Sequence, residues 1–531
     1  MHMYTVLYFG LATAGLHYFA LVLAEKYQRW QALRVFAKHH KTKPARRENP
    51  WDVLGIYKVV AMARLVIKGT SLDGAIDLFQ RLGRTYSSKI LTQPVLFTCD
   101  PRNMRHVLIT AFTDFDSSRG IRDHLFRPIT PHGIFALDGN EWKTARRLYR
   151  DHFSRTRDIV DLDLQERCFR NLEALIPSDN TPFDLQPLFL RLMLDLTTAF
   201  AMGVCVDSLR PDQSVEKKRF VDALIHVKKT MARDGFLGPV HVFLSKKEFH
   251  ASCSTVQHFV EDIIRQKLAV SRPKDKSDSQ EDVATAVESC FLDKLMEGSG
   301  DVIELRDGVL TLLIAGIDSV ASLLSTATFL LSRHQAAQDK LRASILDKVG
   351  YELPSFNDLR GLAYLRYVFN ETMRVYPPVP FNARTANQDT YLPVGGGPDG
   401  EDSVLVEKGA RIVFSSWGSH RDLDNFGRDA HEFIPERWEN LQADTLAGFI
   451  PFNLGPRACP GQNFALMEAS YVVVRLLQTF SRIEKGDDKP WKENLGLNLS
   501  NKNGTVIKVV RYPDHSGVVK ANGHPVIEKV V

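Results

Sequence analysis

The chain has 531 residues, of which 44% are hydrophobic and 25% charged, with a formal net charge of +5. These are ordinary globular proportions, which exclude a fibrous or wholly disordered chain and leave room for one large domain with a sizeable core. The positive charge is local: residues 25–47 carry eight basic side chains against Glu25 alone, and the sequence after them is net acidic. The basic balance therefore does not describe a nucleic-acid-binding surface.

Residues 3–24 contain no Asp, Glu, Lys or Arg, and a helix of that length is sufficient to cross a bilayer. No basic region precedes the stretch and no clear small-residue cleavage site follows it, so a retained anchor is expected rather than a cleaved signal or a buried helix. The basic block directly after it favours keeping that side in the cytosol, near anionic headgroups. Pro44 and Pro50 suggest a short stiff linker. The expected organisation is an anchor over 1–24, a basic linker over 25–50, one catalytic domain over 51–511 and a weakly patterned tail over 512–531. The widest polar gap, residues 271–282, reads as a surface connection.

Helix-length segments with apolar faces dominate the first half, whereas residues 381–415 break into short runs rich in Val, Ile and Thr. The Gly-rich run at 395–400 lacks both the Gly-Lys-Ser/Thr ending and a following helix needed for a phosphate loop, so it reads as a turn in a small β element. The expected class is mainly α with minor β. Residues 309–331 form a long apolar run whose one charge is Asp318. An acid at mid-span is expensive in lipid, so this run is expected as the buried central helix of the domain rather than a second span.

Cys99, Cys168, Cys205, Cys253, Cys290 and Cys459 show no CxxC pair and no His at zinc-finger spacing, which argues against a disulfide framework and against structural zinc. Five of them read as ordinary small buried residues. Cys459 differs. It lies in Phe452-Asn453-Leu454-Gly455-Pro456-Arg457-Ala458-Cys459-Pro460-Gly461, where a loop gives way to an apolar helix just after the sulfur. A thiolate there sits near the positive end of a helix dipole, Gly455 and Gly461 permit close approach of amides and of a flat ligand, and Arg457 can reach an anionic group.

This segment resembles the signature of the cytochrome P-450 family, Phe-x-x-Gly-x-Arg-x-Cys-x-Gly, with every fixed position present. The resemblance implies haem b (iron protoporphyrin IX) with Cys459 as axial ligand, a thiolate that pushes electron density toward the iron and favours O–O cleavage. Further motifs agree in order and spacing. Glu371-Thr372-Met373-Arg374 and Arg437 of Pro435-Glu436-Arg437-Trp438 match the structural Glu-x-x-Arg and its partner arginine. Trp142 and Arg146 match Trp-x-x-x-Arg, and with Arg384 they imply contacts to the haem propionates. Guanidinium groups suit such carboxylates.

Ala315-Gly316-Ile317-Asp318-Ser319 resembles the family's oxygen-binding stretch, with room above the iron at Ala315 and Gly316 and an acid–alcohol pair, Asp318 and Ser319, to relay protons. Ser319 stands where the family usually has Thr and lacks the β-methyl that restricts the rotor. The resemblance further implies a monooxygenase using O2 and NADPH through a separate cytochrome P-450 reductase, with cytochrome b5 as an optional donor, because no flavin or nicotinamide domain is legible here. It implies a single-pass protein of the endoplasmic reticulum membrane facing the cytosol.

Leu392-Pro393-Val394-Gly395-Gly396-Gly397-Pro398-Asp399-Gly400, His420-Arg421-Asp422 and Pro435-Glu436-Arg437-Trp438 look like the fungal alkane and fatty-acid hydroxylases. Fatty-chain hydroxylation is the first expectation, with polyketides and terpenoids as alternatives. Two rival readings are a non-oxidative haem-thiolate isomerase or dehydratase, which needs no relay, and a haem-binding sensor, which needs no reductase.

Overall fold

A computed structural model describes residues 2–117, 121–271, 290–440 and 446–512. The side chains of residues 2–12 and most of the polar gap at 271–282 lie outside the described residues, as does the tail from residue 513.

The helix Val302–Leu331 runs through the middle of the protein. Apolar residues cover its whole circumference, so every face needs a neighbour. Gln186–Met202, Lys247–Ser271, Ala363–Val375 and Gln462–Thr479 supply them. Asp301 caps its start by accepting from the amides of Ile303 and Glu304 at 2.8 and 2.9 Å, which satisfies donors that a helix end otherwise leaves open. Two of its interior hydroxyls are satisfied as well: Ser325 donates to the Ala321 carbonyl at 2.6 Å and Ser322 to Leu499. Among the described residues it is the one helix long and apolar enough to cross a membrane, and most of it is buried. It is the core helix that the position of Asp318 suggested.

The β structure is minor, as expected. A six-stranded sheet has the order Arg46–Arg47, Thr85–Ile90, Gln93–Thr98, Arg411–Ser415, Phe381–Ala386, Phe115–Asp116. Its register places Arg384 opposite Ile412 and Thr385 opposite Arg411. Residues 395–400 connect the antiparallel strands Thr390–Gly396 and Asp402–Val406, so the Gly-rich run is a hairpin connection.

The N-terminal region departs from the expected anchor-then-linker division. One helix runs unbroken over His2–His39, past residue 24, and Arg46–Arg47 is an edge strand of the main sheet. The basic residues are the physical reason. Arg29 pairs with Asp389, Lys43 with Asp402 at 2.9 Å, and Arg46 donates to the Pro398 carbonyl at 2.9 Å. His40 stacks on Tyr391 at 4.7 Å. The segment read as a linker is folded against the hairpin.

Candidate active site

Cys459 sits between a 3₁₀ turn, Gly455–Arg457, and the helix Gln462–Thr479. Its amide donates to the Phe452 carbonyl at 2.8 Å and the Ala458 amide to Gly455 at 2.9 Å, which closes the loop under the sulfur. The two glycines turn out to serve different ends. Gly455 has φ +68°, and a Cβ there would lie 2.1 Å from the Leu108 carbonyl oxygen, so it is required by backbone packing. It does not line the cavity described next, a correction to the ligand-facing role expected for it. Gly461 has an ordinary φ of −93°, and a Cβ would meet nothing closer than Phe153 at 3.6 Å. The protein itself does not demand glycine there, but Gly461 lines the cavity, where a bare backbone leaves room for a flat group.

That cavity measures about 600 Å³ and is largely apolar. The Cys459 loop gives the cavity Cys459, Phe452 and Gly461 as a floor, Trp142 and Arg146 also line it, and the central helix gives it Ala315, Gly316 and Ser319 as a wall. Arg384 and Arg457 also line it. Of the residues expected for the relay and for cofactor binding, Gly455 and Asp318 are the two that do not line this cavity.

The electrostatics of the floor are cationic. Burial lowers the guanidinium pKa of Arg457 to about 10 and that of Arg384 well below its usual value, and lowers Arg146 as well. Arg457 is partly neutralised: it donates to Asp138 at 2.5 Å and to the Leu137 carbonyl at 2.9 Å, and it stacks 4.2 Å over the ring of Trp142. The tryptophan thus orients this arginine. Arg146 donates to the Ala458 carbonyl, adjacent to the sulfur. Arg384 has neutral partners, the Ala383 carbonyl at 2.8 Å and Asn382 at 3.4 Å. Burial pushes the Cys459 thiol up, opposed by the Gly461 amide and the Arg146 charge. A cysteine, a glycine next to it in the loop, small residues of the central helix and desolvated arginines lining one apolar cavity form a donor set that fits a flat, dianionic metal macrocycle such as haem.

Glu371, Arg374 and Arg437 come together outside the cavity lining, with Glu371 and Arg374 fully buried and Arg437 slightly exposed. Arg374 makes a bidentate pair with Glu371, both contacts at 2.8 Å, and Arg437 approaches Glu371 at 3.3 Å. Trp438 Nε1 and the Ile434 amide complete the carboxylate's shell at 2.9 and 3.0 Å. Arg374 also donates to the carbonyls of His420, Ala430 and Glu432. His420 accepts from the Ile450 amide at 2.9 Å through Nε2 while Nδ1 faces the Met373 carbonyl at 3.2 Å. Burial pushes its pKa down to about 3, so the ring is neutral and can bridge this network to the segment entering the Cys459 loop. No short motif marked His420 for that role.

Two residues of the central helix are arranged differently from the expected relay. Asp318 turns to Lys228 of the helix Val215–Leu237, with an ion pair of 2.7 Å. Ser319 donates to the Ala315 carbonyl at 2.8 Å, one turn back. Lys228 was missed because its connection spans ninety residues of sequence. Also missed was Glu468, on the cavity wall, whose carboxyl is pushed up to about 8 by burial alone; only its place on the helix after Cys459 could have pointed to it. Arg122 and Arg411 line the cavity as well.

Residues 47–508 match the family model for cytochrome P450. The chain is 35% identical over 490 residues to cytochrome P450 monooxygenase fsdH of Fusarium heterosporum, covering 90% of this chain and 85% of that protein. It is 37% identical to cytochrome P450 monooxygenase himC of Aspergillus japonicus, covering 82% and 78%, and 33% identical to cytochrome P450 52A13 of Debaryomyces hansenii, covering 86% and 88%. With similarity of this extent spanning the Cys459 loop, the cavity and the buried Glu371 network alike, the chain belongs to the cytochrome P450 monooxygenase family.

Proposed function

We propose that the protein inserts one oxygen atom from O2 into an apolar chain substrate, with a fatty acid or alkane as the substrate class and with electrons from NADPH through a separate reductase. The observation that carries this reading is that Cys459 lines a largely apolar cavity together with Ala315 and Gly316. Bound haem supplies the oxygen-activating chemistry. Cys459 would hold its iron, Trp142 would steady Arg457, and Arg146, Arg384 and Arg457 would take its carboxylates. Leu125, Phe126, Met231, Phe236 and Leu323 would exclude water around the chain.

Asp318 and Ser319 are proposed as the route by which protons reach the cavity. The Ser319 hydroxyl has to turn from the Ala315 carbonyl, and Asp318 has to exchange its hold on Lys228 for water or for Ser319. That rearrangement favours, as a second reading, a haem-thiolate isomerase or dehydratase, for which no relay is needed. Attachment to a membrane, proposed to be that of the endoplasmic reticulum, is the reading that the exposed Leu16, Phe19, Leu21 and Leu23 on the first helix and Trp51, Leu54 and Phe243 support for the membrane itself.

The test is the absorption spectrum of the reduced protein with carbon monoxide, followed by reconstitution with reductase and NADPH on dodecane and dodecanoic acid. A red-shifted Soret band with oxygenated product is expected. The band without oxygen or NADPH consumption would select the non-oxidative reading.

A further inference from the structure

A second line of polar groups connects the protein surface with the cavity, through a carboxyl that the Asp318 pair does not involve. Asp307 lies on the central helix and is fully buried. Its Oδ2 accepts from the His132 amide at 2.7 Å and faces His132 Nδ1 at 3.2 Å, while its Oδ1 accepts from Arg306 Nε and Nη2 at 2.9 and 2.8 Å. The His132 side chain is 56% exposed. A solvated imidazole is therefore in contact with a carboxyl that has no solvent of its own.

The inner end of the line is polar too. Thr311 follows Asp307 by one helical turn, on the same face of the helix. It is buried and lines the cavity, as does Tyr149 of the helix Gly139–Phe153. The Tyr149 hydroxyl donates to the Gly308 carbonyl at 2.9 Å, lies beside the Thr311 hydroxyl and feels the Asp307 charge. Thr311 Oγ1 has no well-formed hydrogen bond among the described residues, a cost that a buried hydroxyl escapes when a water bonds to it. Gly133 lets the loop seat there: a Cβ on it would come within 2.3 Å of Thr311 Oγ1.

The surroundings of Asp307 suit a proton that is held and passed on. Burial pushes its carboxyl up, against the pull of the His132 amide, of Arg306 and of the His132 ring. Arg306 is shared with Glu261 at 2.7 Å, and Glu261 in turn with Arg265 at 2.8 Å, so Asp307 does not receive the whole of one positive charge. Asp318, by contrast, is outside the cavity lining and paired with Lys228.

We infer that His132, Asp307 and Thr311 form a second proton route into the cavity, with Tyr149 as a positioning residue. The inference rests on the monooxygenase reading above and deepens it. Asp307 Oδ2 gives its proton to Thr311 Oγ1, directly or over one water, as that hydroxyl releases its own to the cavity. His132, protonated from solvent at Nε2, then returns its Nδ1 proton to Oδ2, and the exposed ring resets its tautomer through solvent. The net change is one proton moved from solvent to the cavity.

The full-length, haem-loaded protein is reconstituted with reductase and NADPH on dodecanoic acid, and product, hydrogen peroxide and NADPH are measured together with haem content and melting temperature. The parent is compared with His132→Gln, Asp307→Asn, Thr311→Val, Thr311→Ser, Ser319→Ala and the double variants that join Ser319→Ala to Asp307→Asn or to Thr311→Val. With two routes in parallel, Asp307→Asn and Thr311→Val should each lower product per NADPH about twofold to fivefold, well short of the roughly hundredfold expected for a sole acid–base group. His132→Gln should act in the same direction, and Thr311→Ser should hold the parent value because its hydroxyl remains. Each double variant should lose more than the product of its single losses, since neither route is left to cover for the other.

Unchanged product per NADPH in both His132→Gln and Thr311→Val would overturn the route and leave monooxygenation standing. Double-variant losses no greater than the product of the single ones would also overturn it, reducing Asp307 to a tie between the loop and the central helix. Should Asp307→Asn fail to take up haem, Thr311→Val with Ser319→Ala decides the same question. A parent protein that consumes neither oxygen nor NADPH would remove the monooxygenase reading and the route together.

Discussion

The floor of the cavity and its wall are built by different means. On the floor, Phe452 to Gly461 supplies the sulfur, its backbone support and one arginine from ten consecutive residues, and the constraints are local: a closed turn, a left-handed glycine and a helix start. On the central helix, Asp318 and the wall residue Ser319 are also consecutive, but what Asp318 does depends on Lys228, which arrives from another helix. A local constraint fixes a side chain whatever surrounds it. A long-range ion pair fixes it only while both helices keep their relative position, so the wall can change state where the floor cannot.

The largest expected effect is on the floor. Cys459→Ala should abolish the red-shifted Soret band of the reduced carbon monoxide complex, whereas Cys99→Ala and Cys290→Ala should leave it. A band that survives the first change and disappears with either of the others would move the thiolate and end the contrast. In the buried network, Glu371→Ala should cost about 3–5 kcal/mol, because it strands the fully buried Arg374 and removes an acceptor from Arg437 and Trp438. Chemical denaturation checks this. A loss below about 1 kcal/mol would show that the carbonyl contacts of Arg374 suffice without its carboxylate.

The contrast also explains what could be read from the amino-acid sequence. The central helix was legible because its apolar run is long and its one acid argued against lipid, and the hairpin because GGGPDG separates two β-rich runs. The Cys459 loop was legible because its chemistry is contiguous. Gly455 was assigned to the ligand when its task is to pass the Leu108 carbonyl, a clash between residues 347 positions apart that no local pattern encodes. Lys228 and the bridging role of His420 were missed for the same reason. Each acts through a partner on another element. The basic residues after the apolar stretch were read as headgroup-facing charges, since the acids they meet, Asp389 and Asp402, lie at the distant hairpin.

A third prediction concerns pH and sharpens the floor's description. Burial raises the Glu468 carboxyl from 4.5 to about 8, so in that window the folded state holds a proton that the unfolded chain releases. Its contribution to stability is fully present below the ordinary carboxyl range and is lost as pH rises through about 8. Glu468→Gln removes that dependence. Its melting temperature should exceed the parent's most clearly above pH 8, on the order of a few kcal/mol in stability, and converge with it near pH 4. Parallel melting curves across that range would mean that the carboxylate finds a partner when ionised.

The smallest expected effect lies on the wall, and it is a partition rather than a loss. Ser319→Ala removes the hydroxyl but none of the cavity's arginines or apolar lining, so haem content and substrate binding should hold while more of the NADPH consumed ends as hydrogen peroxide. Ser319→Thr keeps the hydroxyl and adds the β-methyl that restricts its rotor, so product per NADPH should be equal or higher. Asp318→Asn should slow turnover more severely, but it also breaks the ion pair with Lys228 and could act by loosening two helices. Lys228→Gln separates the two causes. It breaks the same 2.7 Å contact but leaves the Asp318 carboxylate in place. If the carboxylate supplies protons, Asp318→Asn should depress coupling well below Lys228→Gln at equal thermal stability. Equal coupling in those two variants, together with unchanged product per NADPH in Ser319→Ala, would reduce the pair to a helix tie with no part in proton delivery.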